Sequence, residues 1–289
     1  MSGGPFRLAL LPGAVAALLG VPAPSAAQTM RSVTIARTGD MERVLRVSLE
    51  FNGGNALIVP AAAGTLYGMR LRYDADRYQP VQQYDAGSGR LRIGVERVGG
   101  MGLRVTSRTQ LQQTARFEFA PDVPLDLTAD FGSSEASVDL GGMTLRTLEL
   151  RTAASHATVD FSRPVTGECR SATFTIGASH VVVLHAAQSG CAVITVDGGA
   201  GGATLRFDGA WQRNIALVVD MAMGRLSLAI PRGIGVHIEG RRFLAPLDAP
   251  GFARTPSGWT SVGYAGSDHR LDVSLQASMV DVDVKWITP

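Results

Sequence analysis

Between Leu125 and Ile230 apolar and polar residues alternate with a period of two, interrupted at regular intervals by short turns of Gly, Ser and Ala. A period of two marks strands with one buried face, because successive side chains of an extended backbone point to opposite sides. Five consecutive segments follow one plan of strand, turn and strand: LDLTADFGSSEASVDL, LELRTAASHATVDF, ATFTIGASHVVVLH, ITVDGGAGGATLRF and LVVDMAMGRLSLAI. A sixth, LDVSLQASMVDVDV, lies near the C-terminus. The segments can be set in register. Ala136, Ala157, Val181, Ala203 and Leu226 form an apolar column of the second strand at steps of 21, 24, 22 and 23 residues. Ala129, Leu150, Phe174, Val196 and Val219 form a column of the first strand at the same steps. A step of 54 carries both strands of the fifth copy onto Leu271, Val273, Val280, Val282 and Val284 of the sixth.

Strand-and-turn repeats of about 22 residues with no helical period predict an all-β chain folded as a β-solenoid. In such a fold the copies stack as parallel strands about 4.8 Å apart and their inward side chains form ladders. The Leu and Asn pattern of leucine-rich repeats is absent, and a propeller blade needs about 40 residues. An antiparallel sandwich is the structural rival, but hairpin strands need not keep columns across six copies.

Upstream, Val47, Leu49 and Phe51 alternate, Gly53-Gly54 turns, and Ala56, Ile58 and Pro60 follow, a first and less regular copy. Tyr67–Tyr73, Gln79–Tyr84 and Leu91–Val98 are further short strand candidates, up to a Gly-Gly-Met-Gly break near residue 100. Residues 28–124 are therefore read as an irregular β region that caps the array, and 125–289 as the array itself. Residues 231–268, rich in Arg, Pro, Gly and aromatics (Phe243, Phe252, Trp259, Tyr264), are read as an excursion covering an end or flank.

Composition adds an address and removes some functions. A hydrophobic share of 45% with 18% charge belongs to an ordered chain with a core. A net charge of +2 with no Lys/Arg run argues against nucleic acid as a partner. At the N-terminus Arg7, the apolar run Leu8–Val21 and Pro-Ala-Pro-Ser-Ala-Ala form a leader with a cut after Ala27. A membrane anchor is the alternative, but the run is short for a span of about 20 residues. Residues 1–27 are thus expected to be removed, leaving an exported protein in the periplasm, at the cell surface or secreted, with no membrane insertion.

The motif LEFNGGNALIVPA followed by LYGMRLRYD, the turns of GSSEASVDL type and the LDAPGF segment before the last copy resemble the bacterial toast-rack envelope proteins. That family is similar to the C-terminal β-helical domain of cell-wall-active antibiotic response proteins and to adhesin-head-like domains. The resemblance implies a single-stranded right-handed parallel β-helix in the cell envelope, with roles in stress sensing or adhesion, and no catalytic residues. The chain departs from the antibiotic response proteins in carrying a leader where they carry membrane helices, so direct coupling to a membrane kinase does not carry over.

The chemistry-bearing residues mostly fall into ladders. Cys169 and Cys191 are the only cysteines and lie 22 residues apart, one repeat step, within disulfide reach in adjacent coils. A structural bridge is expected in an oxidising compartment, with two buried thiols as the alternative. His156 and His180 stack at one corner and Glu135 is a conceivable third metal ligand; a solvated polar ladder is the plainer reading. Asp139 and Asp160 share an outward column, as do Asp197 and Asp220, and paired carboxylates would suit a polysaccharide-cleaving enzyme. Trp211, Trp259 and Tyr264 have the rings to stack on sugars, although such rings more often pack. The Gly198–Gly202 run has neither the aspartates of a calcium roll nor the Lys-Ser/Thr of a phosphate loop.

The expectation is a non-enzymatic exported β-helix protein without a cofactor, binding envelope glycan or protein in adhesion or stress response. The alternative is a carbohydrate-active enzyme, a polysaccharide lyase or glycosidase, using Asp139 and Asp160. Self-association through the solenoid ends is a third reading, and oligomeric state is left open.

Overall fold

The computed structural model describes residues 29–39, 43–98, 113–242 and 244–288. The leader read at 1–27, the break near residue 100 and Phe243 lie outside the described residues. The N-terminal strands are β1 (Met30–Thr38), β2 (Leu45–Phe51), β3 (Gly54–Pro60), β4 (Thr65–Asp74), β5 (Tyr78–Asp85), β6 (Arg90–Arg97) and β7 (Thr114–Phe119). The repetitive segment supplies β8 (Leu125–Phe131), β9 (Ser134–Asp139), β10 (Leu145–Thr152), β11 (His156–Asp160), β12 (Ser171–Ile176), β13 (His180–Leu184), β14 (Val193–Arg206) and β15 (Ile215–Pro231). Then come β16 (Gly235–Arg242), β17 (Leu247–Asp248), β18 (Phe252–Thr255), β19 (Gly258–Ser261) and β20 (Arg270–Ile287). Among the described residues no helix is long and apolar enough to cross a membrane.

The strands form two walls. One is the parallel run β6–β2–β8–β10–β12–β14–β15–β20–β16. The other is the parallel run β7–β3–β9–β11–β13–β14–β15–β20–β17. The long strands β14, β15 and β20 serve both walls, so the two are parts of one continuous sheet. Inward columns run across every rung. Leu127, Leu148, Ala172, Ile194 and Leu217 are in register on the first wall, and Val138, Val159, Val183, Leu205 and Leu228 on the second. All ten are buried. Alternation is what permits this, since each inward residue finds the inward residue of the next rung directly above it.

The last step differs from the expectation. Leu217 pairs with Val273 and Leu226 with Val282, a step of 56 rather than 54. A slip of two residues keeps every side chain on its face, so the apolar pattern cannot distinguish the two registers. Outward residues can. The observed step sets Arg225 opposite Asp281, with Nη2 to Oδ2 at 3.1 Å, whereas a step of 54 would set it opposite Met279.

Stacking order also departs from chain order at both ends. β6 and β7 lie outside β2 and β3, so the later segment forms the outer rung. At the far end β16 and β17, inside the 231–268 segment, lie outside β20. Each end then changes to antiparallel pairing. β5 closes on β6, β4 on β7 and β1 on β4, while β19 closes on β16 and β18 on β19. Reversed strands stop the parallel stack from extending, and Pro80 on the outer strand β5 removes one edge donor.

The two corners use different chemistry. Between the walls Ser134, Ser155 and Ser179 stack as a buried ladder. The Ser155 hydroxyl lies 3.0 and 2.6 Å from the carbonyls of Phe131 and Gly132 and accepts from the Ser134 N–H at 3.3 Å; Ser179 Oγ accepts from the Ser155 N–H at 3.2 Å. Further along, Gly201 and Gly224 continue the corner. Gly224 sits at φ +130°, and a Cβ there would come within 1.7 Å of the Gly201 carbonyl oxygen. On the opposite corner a disulfide joins Cys169 to Cys191 with Cα atoms 4.2 Å apart, both fully buried.

Two stability outcomes follow. Gly224→Ala should lower the free energy of unfolding by roughly 3 kcal/mol, whereas Gly199→Ala, with no atom within 4 Å of its Cβ, should change it by less than about 0.5 kcal/mol. Urea titration of both variants checks the contrast. Cys169→Ala/Cys191→Ala opens a 22-residue loop and should cost about 3 kcal/mol, with the same loss on adding reductant to the unfolding reaction of the native protein.

Candidate functional site

A long concavity lies on the outward face of the second wall, where the parallel ladder meets its antiparallel cap. It is a groove of about 910 Å³ crossing β1, β4, β7, β3, β9 and β11. At about 4.8 Å per strand its floor is about 24 Å long. Two rows of outward side chains run along it in register. One is Ser32, Arg72, Thr114, Asn55, Glu135 and His156; the other is Thr34, Arg70, Arg116, Leu57, Ser137 and Thr158. Alternation puts them there, for the residues between them (Leu71, Ala115, Ala56, Ala136) turn inward to the core. Three arginines thus occupy the cap end of the groove and five hydroxyl side chains are spread along its floor. Glu118, behind this end, takes the Arg116 Nε at 2.6 Å and lies 4.0 Å from Arg70 Nη1.

Only Glu135 and His156, of the residues singled out from sequence, line this groove. His156 pairs with Glu135 on one side and His180 on the other, and the two imidazoles stack with centroids 5.5 Å apart and planes 11° apart. Burial, and then the neighbouring His156, hold the His180 imidazole below its ordinary range, so it stays neutral where an exposed histidine would begin to charge. Among the described residues no three His, Cys, Asp or Glu side chains gather into a set able to hold a metal ion.

Asp139 and Asp160 pair in register, but each carboxylate is held by its own corner. Asp139 Oδ1 accepts from the Gly141 N–H at 2.9 Å and the Ser162 hydroxyl at 2.7 Å. Asp160 Oδ1 lies 2.7 Å from His185 Nδ1. His185 is fixed in turn by a left-handed backbone, φ 52°, and by its N–H donating to Asp208 at 3.2 Å. Neither aspartate lines the groove.

The aromatic candidates are spread over the C-terminal half. Trp211 donates its indole N–H to the Phe207 carbonyl at 3.1 Å and stacks between Phe207 and His269. The Trp259 ring carries the Arg242 guanidinium at 4.3 Å and Arg254 at 5.6 Å. Tyr264 donates its hydroxyl to Asp272 at 2.6 Å, and this hydrogen bond, with burial second, raises its pKa. With His237, Glu239 and exposed Val218 it lines a smaller cleft of about 350 Å³ on the first wall. The three rings do not share one platform: Tyr264 lines that cleft without Trp211 or Trp259.

Sequence reasoning missed Arg70, Arg72 and Arg116. Their signal was present, since YGMRLRY sets both arginines of β4 on the polar face. That this face continues that of β3, β9 and β11 depends on β7 inserting between β4 and β3, a pairing no periodicity reveals.

Comparison with solved structures finds similar chains at low identity. A structure from Clostridium sporogenes, named for a proposed role in cell adhesion, is 13% identical with TM-score 0.47, and the match covers 89% of this chain and all of that one. One from Bacteroides fragilis, named for a proposed adhesin role, is 11% identical with TM-score 0.40, over 89% of this chain and 97% of that one. No match is found among curated proteins. The family model for the N-terminal domain of toast_rack, DUF2154, matches residues 25–184. That span is more than half of the 289 residues and takes in the groove-lining strands, and the chain belongs to the toast-rack family.

Proposed function

We propose that this is an exported, non-enzymatic envelope protein, a right-handed parallel β-helix of about 22-residue coils that binds an envelope glycan through the groove on its second wall. On this reading residues 1–27 are a cleaved leader, the 28–124 region caps the coils of 125–289, and the protein acts outside the cytoplasmic membrane in adhesion or in reporting the state of the envelope. The observation that carries the proposal is the contrast between the groove and the carboxylate pair. The groove offers a long, open floor of hydroxyl, amide and guanidinium groups able to donate and accept along its length. Asp139 and Asp160, the next outward residues after Ser137 and Thr158, do not line it and are engaged in corner contacts. Binding needs the first arrangement. Hydrolysis needs two carboxyl groups flanking a scissile bond, one of them free to give up a proton.

The test is a binding and turnover experiment on an oligosaccharide panel. Asp139→Asn/Asp160→Asn should bind as the native protein does, while Ser137→Trp, which fills the groove from an exposed position, should bind at least about tenfold more weakly with an unchanged melting temperature. New reducing ends released by the native protein and lost in the double asparagine variant would replace this reading with that of a carbohydrate-active enzyme.

A further inference from the structure

We propose that the groove takes an acidic polysaccharide lying across the strands, with a uronate carboxylate held between Arg70 and Arg72 at the cap end. The proposal rests on the glycan-binding reading and adds the ligand's charge and its direction in the groove.

Spacing is the first ground. Parallel and antiparallel neighbours alike lie about 4.8 Å apart, close to the advance of an extended pyranose chain per sugar. A glycan running along the two register rows therefore meets a new pair of side chains at each successive unit, and the match persists over all six strands. Charge is the second. Arg70, Arg72 and Arg116 stand on two adjacent strands at one end, and Glu118 offsets only part of their charge. Among the described residues Arg72 has no ion-pair partner, and both it and Arg70 are exposed. Two guanidinium groups on alternate residues of one strand present planar donors suited to a carboxylate, with which arginine forms paired hydrogen bonds. At the other end Glu135 repels a like charge, so the acidic unit has a preferred end.

The same surface is poorly suited to a peptide. β4, β7, β3, β9 and β11 are each paired on both sides, so the only unpaired main-chain edge among the groove strands is the outer edge of β1 at the cap end, and the floor beyond it has none for an added strand. Of the Trp, Tyr and Arg side chains around which protein interfaces concentrate their binding energy, the groove contains only arginines. Hydroxyls that both donate and accept match the hydroxyls of a sugar.

The test is calorimetric titration of the protein with a galacturonate hexamer, a neutral glucose hexamer and a glutamate hexapeptide. The galacturonate should bind at least about tenfold more tightly than either, the difference of one charge-assisted hydrogen bond. Arg70→Gln/Arg72→Gln should remove that preference while Arg241→Gln, at an exposed position on β16, leaves it intact. Raising the salt from about 0.05 to about 0.5 M should weaken the acidic ligand and not the neutral one. Equal binding of both saccharides overturns the acidic specificity and leaves the glycan-binding reading standing. Equal or tighter binding of the peptide overturns the saccharide assignment. A preference that survives in the double glutamine variant overturns the site, and absence of binding by any ligand overturns both proposals.

Discussion

Everything in this structure depends on the register between one rung and the next. A strand paired in parallel with neighbours on both sides has its main-chain groups committed, and its side chains must meet those at the same height in the adjacent rungs. Apolar columns can then be unbroken from β2 to β20, but only if each coil returns to the same height after its turns. Steps of 21 to 24 residues meet that condition through variation at the corners and one register shift at the start of β10, between Leu145 and Thr147. The price is small residues where the chain changes wall: serines whose hydroxyls satisfy main-chain groups, then glycines whose missing Cβ lets adjacent backbones approach.

A parallel stack is sound in its middle and exposed at its ends. This chain places a segment that is not terminal in sequence on the outside of each end and then reverses direction, on both walls at the N-terminal end and on the first wall at the other. At the N-terminal end the reversal does more than block growth. It joins the polar face of an antiparallel cap to the polar face of the coils, and the groove forms at that seam. Arg70 and Arg72 come from the antiparallel cap, Arg116 from the outermost parallel strand, the carboxylate and imidazole from the regular coils, and the hydroxyls from both sides of the seam.

The stacked acids and histidines illustrate how a repeat multiplies suggestive pairs. Any polar residue kept at one position of successive coils acquires a like neighbour about one strand spacing away. Asp139 over Asp160 and His156 over His180 are such neighbours, and the contacts of the aspartates are those of corner-forming residues. The stacked imidazoles tell the same story, for the mutual repulsion of their charged forms helps keep His180 neutral rather than creating a cation site.

What sequence alone determined is the face of each side chain and the height of most rungs. A period of two assigns inward and outward residues directly, and repeat steps conserved across both strands aligned Cys169 with Cys191 and His156 with His180 before any coordinates. Tertiary structure alone decided the last step, 56 rather than 54, because a two-residue slip is invisible to alternation; the Arg225–Asp281 contact is one of the outward pairs that the observed register makes. It also decided the order of the end rungs, and with it the groove. Strand pairing between β3 and β7 spans 59 residues in the chain, and nothing local in either strand encodes which of the available edges it will meet. The arginines of YGMRLRY were legible as outward-facing residues; what they face was settled only when the cap folded onto the coils.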